Sequence, residues 1–167
     1  KYCLNEGASV ILMSHLGRPK GDLVPELSLD PVAFCLEELL DSEVMFSDDC
    51  ISEDAIELSQ QMLPREIHLL ENLRFYKGET DNDTEFSKYL AKHADIYIND
   101  AFGTAHRSHA SNVGVSSFMN DKAIGFLMEK EIKYLIETMN NPVHPCTFIL
   151  GGAKIGDKIE LIYNIVE

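Results

Sequence analysis

The sequence has no tryptophan, no long apolar run and little positive charge. Lys and Arg total 14 against 28 Asp and Glu, for a net charge of −14, and only four residues are arginine. A balance that acidic argues against nucleic acid or an anionic membrane surface as partner. No apolar stretch approaches the ~20 residues that a spanning helix needs. The opening Lys1-Tyr2-Cys3-Leu4-Asn5 carries no apolar core of a leader peptide. The cysteines Cys3, Cys35, Cys50 and Cys146 are far apart and form no C-x-x-C. They read as reduced, small hydrophobes in a cytoplasmic protein.

Apolar residues make up 45% and charged residues 25%, ordinary for a globular chain. Strand and helix signals alternate. Val10 to Met13 is a continuous apolar run, as in a strand buried on both faces. Before it, Lys1 to Glu6 reads as the end of a helix with Gly7 just past it. Asp30 reads as a helix cap with Pro31 in the first turn, and the helix runs to about Leu40 with Phe34, Leu36, Leu39 and Leu40 as its apolar positions. Val44 to Phe46 is a short strand. Ser52 caps a helix to about Met62, stopped by Pro64. Ile67 to Leu70 is a strand. Asp83 or Thr84 starts a helix to His93, with Phe86, Tyr89 and Leu90 on one face. Asp95 to Ile98 is a strand, Leu127 to Met139 a long amphipathic helix, and Thr147 to Leu150 a strand followed by a helix from about Asp157.

The fold class expected is therefore α/β: a doubly wound, mostly parallel sheet with helices on both faces, Rossmann-like. Asn140-Asn141-Pro142-Val143-His144-Pro145 is the expected boundary, with a second α/β domain beginning beyond it. Both ends read as cut: the first helix lacks its start, and the apolar helix Ile159 to Val166 has nothing after it to pack against.

Three of the four arginines follow apolar runs: Arg18 in Ser14-His15-Leu16-Gly17-Arg18-Pro19, Arg74 in Glu71-Asn72-Leu73-Arg74-Phe75, and Arg107 in Asn99-Asp100-Ala101-Phe102-Gly103-Thr104-Ala105-His106-Arg107-Ser108-His109. Each motif sits where a strand ends, the place where open α/β sheets bind ligands. Arginine binds phosphate or carboxylate through paired donors, so a small, multiply charged anion is the expected ligand. Bland roles stay open. His15 can cap its strand, Arg18 can be a surface ion pair, and Arg74 can pair with Glu71 or Glu79. His106 and His109 are spaced for metal, but no third ligand completes a zinc set. His68, His93 and His144 have no context. In Gly151-Gly152-Ala153-Lys154-Ile155-Gly156-Asp157-Lys158, glycines between a strand and a helix suit a phosphate-binding turn, though the pattern is not a Walker A loop.

Taken together, the Ser14–Pro19, Leu70–Phe75 and Asn99–Arg107 motifs, with Gly125-Phe126-Leu127-Met128-Glu129-Lys130-Glu131 and Gly151–Lys154 plus Lys158, resemble phosphoglycerate kinase in order and spacing. The resemblance runs essentially the whole length. It implies two α/β domains facing across a cleft: a triose-phosphate-binding domain over 1–126, an interdomain helix over 127–141, and the start of a nucleotide-binding domain over 142–167. It implies reversible phosphoryl transfer between 1,3-bisphosphoglycerate and ADP, giving 3-phosphoglycerate and ATP, in glycolysis. By the same resemblance His15, Gly17, Arg18, Leu73, Arg74, His106 and Arg107 belong to the substrate patch. Gly152, Ala153, Lys154 and Lys158 belong to the nucleotide site, and Lys154, Arg18 and Arg107 are the catalytic candidates. No metal ligand is carried over. Mg2+ comes with ADP or ATP, and its protein ligand is expected outside this chain, after Glu167. The family's first strand, with an aspartate, an asparagine and a further arginine, does not appear before Lys1. Gly156 stands where the family has another small residue. The chain alone is expected to be inactive and prone to self-association, the complete protein monomeric and cytoplasmic. Two rival readings are an isolated, non-catalytic phosphoglycerate-binding module and a phosphohistidine-type phosphatase. The second is disfavoured because no arginine-histidine-glycine nucleophile loop is present.

Overall fold

The computed structural model describes residues 1–147 together with Ile149 and Tyr163. The expected strand at Thr147 to Leu150, the helix beyond it and the Gly151–Lys158 turn lie outside the described residues. Within them the chain is α/β with parallel strands throughout.

Helix α1 (Tyr2–Asn5) ends at Gly7, whose φ of +88° lets Gly7 N–H reach the Leu4 carbonyl at 3.1 Å and Ala8 N–H the Cys3 carbonyl at 3.0 Å. The chain then enters β1 (Val10–Leu12). Strands β1, β2 (Val44–Ser47) and β3 (Ile67–Leu70) form one sheet in the order β1-β3-β2, with Val10 and Val44 both aligned on Ile67. All four residues of β3 are buried, as a central parallel strand requires. Its side chains alternate between two cores. Ile67 and Leu69 pack with Leu29, Ala33 and Val44 on one face. Leu70 packs with Cys50, Phe86, Leu90 and Tyr97 on the other. Each fully buried leucine contributes about 1.5–3 kcal/mol, so β3 is the anchor of the fold.

Helix α2 (Asp30–Leu40) covers the Ile67/Leu69 face, but its start differs from the expectation. Leu29 is the cap residue, and the Asp30 side chain caps nothing. The free N–H groups are met from elsewhere: Asp30 N–H by Ser28 Oγ at 3.1 Å, and Leu29 N–H by the buried Glu71 carboxylate at 2.8 Å. Of the four apolar positions picked from the sequence, Leu36 and Leu40 pack inward, whereas Phe34 and Leu39 are 62% and 70% exposed. Ala33 is the fully buried position of the helix, packed with Leu29, Val44, Ile67 and Leu69.

Helix α3 (Glu53–Gln60) is capped by Ser52, whose Oγ accepts from Ala55 N–H at 3.2 Å. A short helix α4 (Lys77–Asp81), not expected from the sequence, precedes α5 (Thr84–Ala91). Asp83 is the cap of α5, accepting from Phe86 N–H at 2.8 Å. Phe86 and Leu90 are buried, while Tyr89 stays 37% exposed.

Strand β4 (Ile96–Asn99) pairs in parallel with β5 (Asp121–Ile124) as a separate two-stranded sheet. Tyr97 carries it into the same core as Leu70. Strand β5 was not legible, since Asp121-Lys122-Ala123-Ile124 is exposed throughout and has neither alternation nor an apolar run. Between these strands lie a π-helical turn (Ala110–Gly114) and α6 (Val115–Phe118). Helix α7 (Phe126–Asn140) follows β5. Asp100 Oδ1 accepts from Met128 N–H at 2.9 Å and holds the start of α7. A Cβ on Gly125 would fall 2.3 Å from Asp100 Cγ, so only glycine lets this cap close.

Two histidines without sequence context meet under the sheet. Ser59 Oγ lies 2.8 Å from His68 Nδ1 and 2.6 Å from His93 Nδ1. The outer nitrogens reach Ser47 Oγ at 2.8 Å and the Cys50 carbonyl at 2.9 Å.

Candidate functional site

The loops after β1, β3 and β4 leave the carboxyl ends of parallel strands and converge. The second loop is the hub. The buried Asn72 side chain donates from Nδ2 to the Leu16 and Leu27 carbonyls at 2.8 and 2.9 Å and accepts from Arg74 N–H at 3.0 Å. Leu73 N–H donates to the Ser14 carbonyl at 3.1 Å, Gly21 N–H to the Arg74 carbonyl at 3.1 Å, and Arg74 Nη1 to the Gly17 carbonyl at 2.7 Å. Gly17, with φ of +64°, turns that carbonyl inward. The first two loops are thus locked together by backbone groups, and the Arg74 guanidinium is set in place before any ligand arrives.

The third loop is held by Glu79, only 2% exposed. Its carboxylate accepts from the Ser111 hydroxyl at 2.6 Å and from Ser111 N–H at 2.9 Å, and lies 3.4 Å from His109 Nδ1. Asn112 Nδ2 donates to the Thr104 carbonyl at 2.8 Å, and Arg107 N–H donates to the same carbonyl at 2.9 Å. A Cβ on Gly114 would collide with Ser87 Oγ, so this loop packs directly on α5.

The outcome is a pocket of about 420 Å³ whose wall includes Arg18, Arg74 and Arg107, together with Lys20 and Lys77. Thr80 and Asp81 complete it. Arg74 is 7% exposed, and its Nε has no partner among the described residues; nor has the buried Nε of Arg107. Neither Glu71 nor Glu79 pairs with Arg74, against one reading of the sequence. Glu71 is used by Ser28 Oγ at 2.7 Å and by the N–H groups of Leu29 and Asn72 at 2.8 and 2.6 Å. Glu79 is used by Ser111 and His109. Burial and then the Arg107 charge push Arg74 below its ordinary pKa, with Glu79 opposing and Arg18 adding to the push. His15 is also pushed down, first by burial and then by Arg74, Arg107 and His109, which keeps it neutral at physiological pH. Five cations crowded round a single carboxylate, Asp81, are the electrostatic signature of a site for a multiply charged anion.

Of the residues picked from the sequence, His15, Gly17, Arg18, Arg74 and Arg107 come together. Leu73 stands beside Arg74 in the chain, but its side chain is 2% exposed and lies in the core. His106 is exposed and apart from the pocket wall. Gly152, Ala153, Lys154 and Lys158 fall outside the described residues. Sequence reasoning missed Lys20, Lys77, Asn72 and the positioning role of Glu79. The available signal was adjacency, because Lys20 and Lys77 each lie within three residues of a motif arginine. A second groove, of about 480 Å³ between α3 and α5, sets Glu53 and Glu57 against one cation, Lys92, and so does not share the first pocket's excess of positive charge. Among the described residues no His, Cys, Asp or Glu side chains gather in a way that could hold a metal ion, and no helix is long and apolar enough to cross a membrane.

Comparison with known proteins decides the family, since a profile described as phosphoglycerate kinase matches residues 1–167. The chain belongs to the phosphoglycerate kinase family. It is 52% identical to the phosphoglycerate kinase of Clostridium novyi across 100% of this chain and 42% of that protein. It is 50% identical to a cytosolic phosphoglycerate kinase of Triticum aestivum across 99% of this chain and 41% of that one. Among solved structures, phosphoglycerate kinase from Pyrococcus horikoshii superposes with a TM-score of 0.86 at 34% identity, covering 99% of this chain and 42% of that chain. The one from Coxiella burnetii gives 0.83 at 36% identity over 98% and 40%. The chain therefore spans about two fifths of the length of these relatives.

Proposed function

We propose that this chain supplies the acid-substrate half of a phosphoglycerate kinase. The complete enzyme moves a phosphoryl group reversibly between 1,3-bisphosphoglycerate and ADP, giving 3-phosphoglycerate and ATP in the cytoplasm. The observation that carries the reading is the cluster of Arg18, Arg74 and Arg107 in one pocket, where among the described residues Arg74 has no carboxylate partner and two buried guanidinium nitrogens are left open. Residues 1–126 are read as the triose-phosphate-binding domain, 127–141 as the interdomain helix, and 142–167 as the start of the nucleotide domain. The family match and the 42% coverage of a relative support that division of labour.

Phosphoryl transfer asks the protein chiefly to position groups and neutralise charge. The three arginines fix the phosphate and carboxylate of the three-carbon acid. Neutral His15 orients the acid beside them as a hydrogen-bond partner. Lys154 neutralises the phosphoryl in transit, with Gly152, Ala153 and Lys158 on the nucleotide side. Mg2+ enters with the nucleotide and screens its phosphate charge, and its protein ligand is expected outside this chain. Domain closure brings the halves together and excludes water. The complete protein is read as a monomer. The chain alone is read as carrying no transfer and as prone to self-association through the outer edges of β1 and β2, which have no partner strand among the described residues.

The test is Arg74→Ala in a full-length protein carrying this sequence. Affinity for 3-phosphoglycerate should fall by about 1.5–3 kcal/mol, the range for hydrogen bonds to charged groups. Affinity for MgATP should hardly move. Titration calorimetry showing equal losses for both ligands would make Arg74 a structural residue and overturn the assignment.

A further inference from the structure

Strand β3 is central in the order β1-β3-β2, so the loop that leaves it has a neighbouring loop on each side. The β1 loop is bonded to it through Asn72, Leu73 and Arg74. The β2 loop, residues 48–52, meets it at Cys50, whose side chain is 0% exposed. Cys50 Sγ lies 2.9 Å from the Glu71 carbonyl, and Cys50 N–H donates to the Tyr76 hydroxyl at 3.5 Å. Glu71 and Tyr76 bound the segment that carries Arg74, so Cys50 brackets that segment at both ends. The bracket is itself held in place. The Cys50 carbonyl accepts from His93 Nε2 at 2.9 Å. Asp49 Oδ1 accepts from Ile51 N–H at 2.6 Å and from Ser52 N–H at 2.8 Å, which folds the loop behind Cys50. Burial first, then the charges of Asp49, Glu71 and Glu79, push the Cys50 thiol well above its ordinary pKa. The thiol therefore keeps its hydrogen at neutral pH and donates it, because a carbonyl only accepts.

Between the two gripped ends the chain makes one tight turn, Leu73–Phe75, closed by Tyr76 N–H on the Leu73 carbonyl at 3.1 Å. A shift at either end is passed to Arg74. The Arg74 guanidinium is fixed at one nitrogen by the Gly17 carbonyl, while its buried Nε has no partner among the described residues. A ligand can complete that donor only if the backbone beneath it stands at the right distance and angle, since hydrogen bonds weaken steeply off line. We propose that Cys50 is a positioning residue of the anion site: by bracketing Glu71 and Tyr76 from the β2 side, it sets where Arg74 meets the phosphorylated acid. This role rests on the phosphoglycerate kinase reading above and deepens it, because it assigns the support of Arg74 to a buried thiol on a loop that contributes no residue to the pocket wall.

The experiment is steady-state kinetics on the full-length protein with 3-phosphoglycerate and MgATP. The variants are Cys50→Ala, Cys50→Ser, Tyr76→Phe, Arg74→Ala and Arg74→Ala/Cys50→Ala. Cys35→Ala is the control, because that thiol is exposed on α2. Ala and Ser both vacate the volume of the sulfur, and only Ser keeps a donor for the Glu71 carbonyl. Cys50→Ala should raise KM for 3-phosphoglycerate about three- to tenfold, as for one hydrogen bond lost. It should leave kcat and KM for MgATP within about twofold, the pattern of lost uniform binding. Cys50→Ser should recover most of the loss. In the Arg74→Ala background, Cys50→Ala should add less than about twofold, because an effect carried by Arg74 has nothing left to act on. Tyr76→Phe keeps the ring contact with Phe86 at 5.2 Å and loosens one end alone, so it should raise the same KM about twofold. Cys35→Ala should change nothing. An unchanged KM in Cys50→Ala overturns the positioning role while the kinase reading stands. Equal losses in Cys50→Ala and Cys50→Ser overturn it too, since the sulfur would then act by packing. So does a full Cys50 effect in the Arg74→Ala background. Should Cys50→Ala fail to fold, Tyr76→Phe decides, and an unchanged KM there overturns the role. A wild-type protein without transfer overturns the kinase reading itself, and the positioning role with it.

Discussion

Two clusters of polar side chains lie among the described residues, and they are built on opposite terms. Around Ser59, every polar atom has a partner and the proton positions can be deduced. His93 Nε2 faces the Cys50 carbonyl at 2.9 Å, and a carbonyl only accepts, so that nitrogen carries the hydrogen. Neutral His93 therefore accepts at Nδ1, and the Ser59 hydroxyl donates to it at 2.6 Å. Ser59 has a single hydrogen. His68 Nδ1 must then donate to Ser59 Oγ at 2.8 Å, and His68 Nε2 accepts from Ser47. The pocket at the strand ends is the reverse. Its arginines and lysines crowd together, and among the described residues two guanidinium nitrogens have no partner and no carboxylate pairs with Arg74. The first cluster spends its hydrogen bonds on holding β2, β3, α3 and the end of α5 together. The second withholds them, so that a ligand can complete them. Satisfied buried polarity marks scaffold and unsatisfied polarity marks a site.

Breaking the satisfied cluster should produce the largest effect. Ser59→Ala leaves His68 Nδ1–H without an acceptor and His93 Nδ1 without a donor, in a region where both rings are nearly inaccessible, at 0% and 3% exposure. At roughly 1–3 kcal/mol for each stranded group, the variant should lose about 2–6 kcal/mol in denaturant unfolding. A loss below about 1 kcal/mol would mean that the ordered proton chain contributes little.

Acid should break the same cluster without a mutation, with a somewhat smaller effect. Burial, then the neighbouring His93, hold the His68 pKa down to about 4. Burial also lowers His93, against the opposing influence of the Cys50 carbonyl and Asp49. Unfolded histidine titrates near 6.5, so the unfolded chain takes up protons first as pH falls. Stability is therefore fully present above about pH 6.5 and declines as pH falls towards 4. For His68 the decline totals about 3 kcal/mol at most, at 1.36 kcal/mol per pKa unit. Protonated His93 forces Ser59 to turn its hydrogen to the Ala55 carbonyl, 3.2 Å away, the longest contact Ser59 makes. Unfolding free energies at pH 7.5, 6.5, 5.5 and 4.5 test the window. His68→Gln should flatten the slope, and an equal slope in that variant would locate the titration elsewhere.

How much of this was legible in the sequence follows the same division. Apolar periodicity exposed β1, β2, β3 and β4, and the capping residues Ser52 and Asp83 marked the helices they start. Those signals are local. The start of α2 was misplaced by one residue because its donors are met by Glu71, far along the chain. Strand β5 escaped because an exposed strand need not alternate. Arg18, Arg74 and Arg107 stood out because arginine is scarce and each follows a strand. His68 and His93 did not, since their meaning depends on Ser59 lying between them, a fact of tertiary structure. Lys20 and Lys77 look like ordinary surface lysines until Gly21 is seen lying under one and bonded to Arg74.

The smallest effect expected is on stability, at the unsatisfied cluster. Arg18 is exposed, and among the described residues its guanidinium makes no ion pair. After burial and the Arg107 charge, Arg18 adds to what pushes the Arg74 pKa down. Removing it deletes no bond and relieves some repulsion between like charges. Arg18→Ala should therefore leave unfolding free energy within about 0.5 kcal/mol of wild type, the usual range for surface changes away from special features. The same variant should bind 3-phosphoglycerate more weakly, by about 1.5–3 kcal/mol if Arg18 donates to the ligand. Dissociating these two quantities is what separates a group poised for a ligand from one that supports the fold. Raising ionic strength should narrow the binding difference, because an exposed charge is screened within about 8–10 Å at physiological salt. Should Arg18→Ala instead destabilise the folded chain by more than about 1 kcal/mol, the arginine has a structural partner, and the contrast between the two clusters fails at that residue.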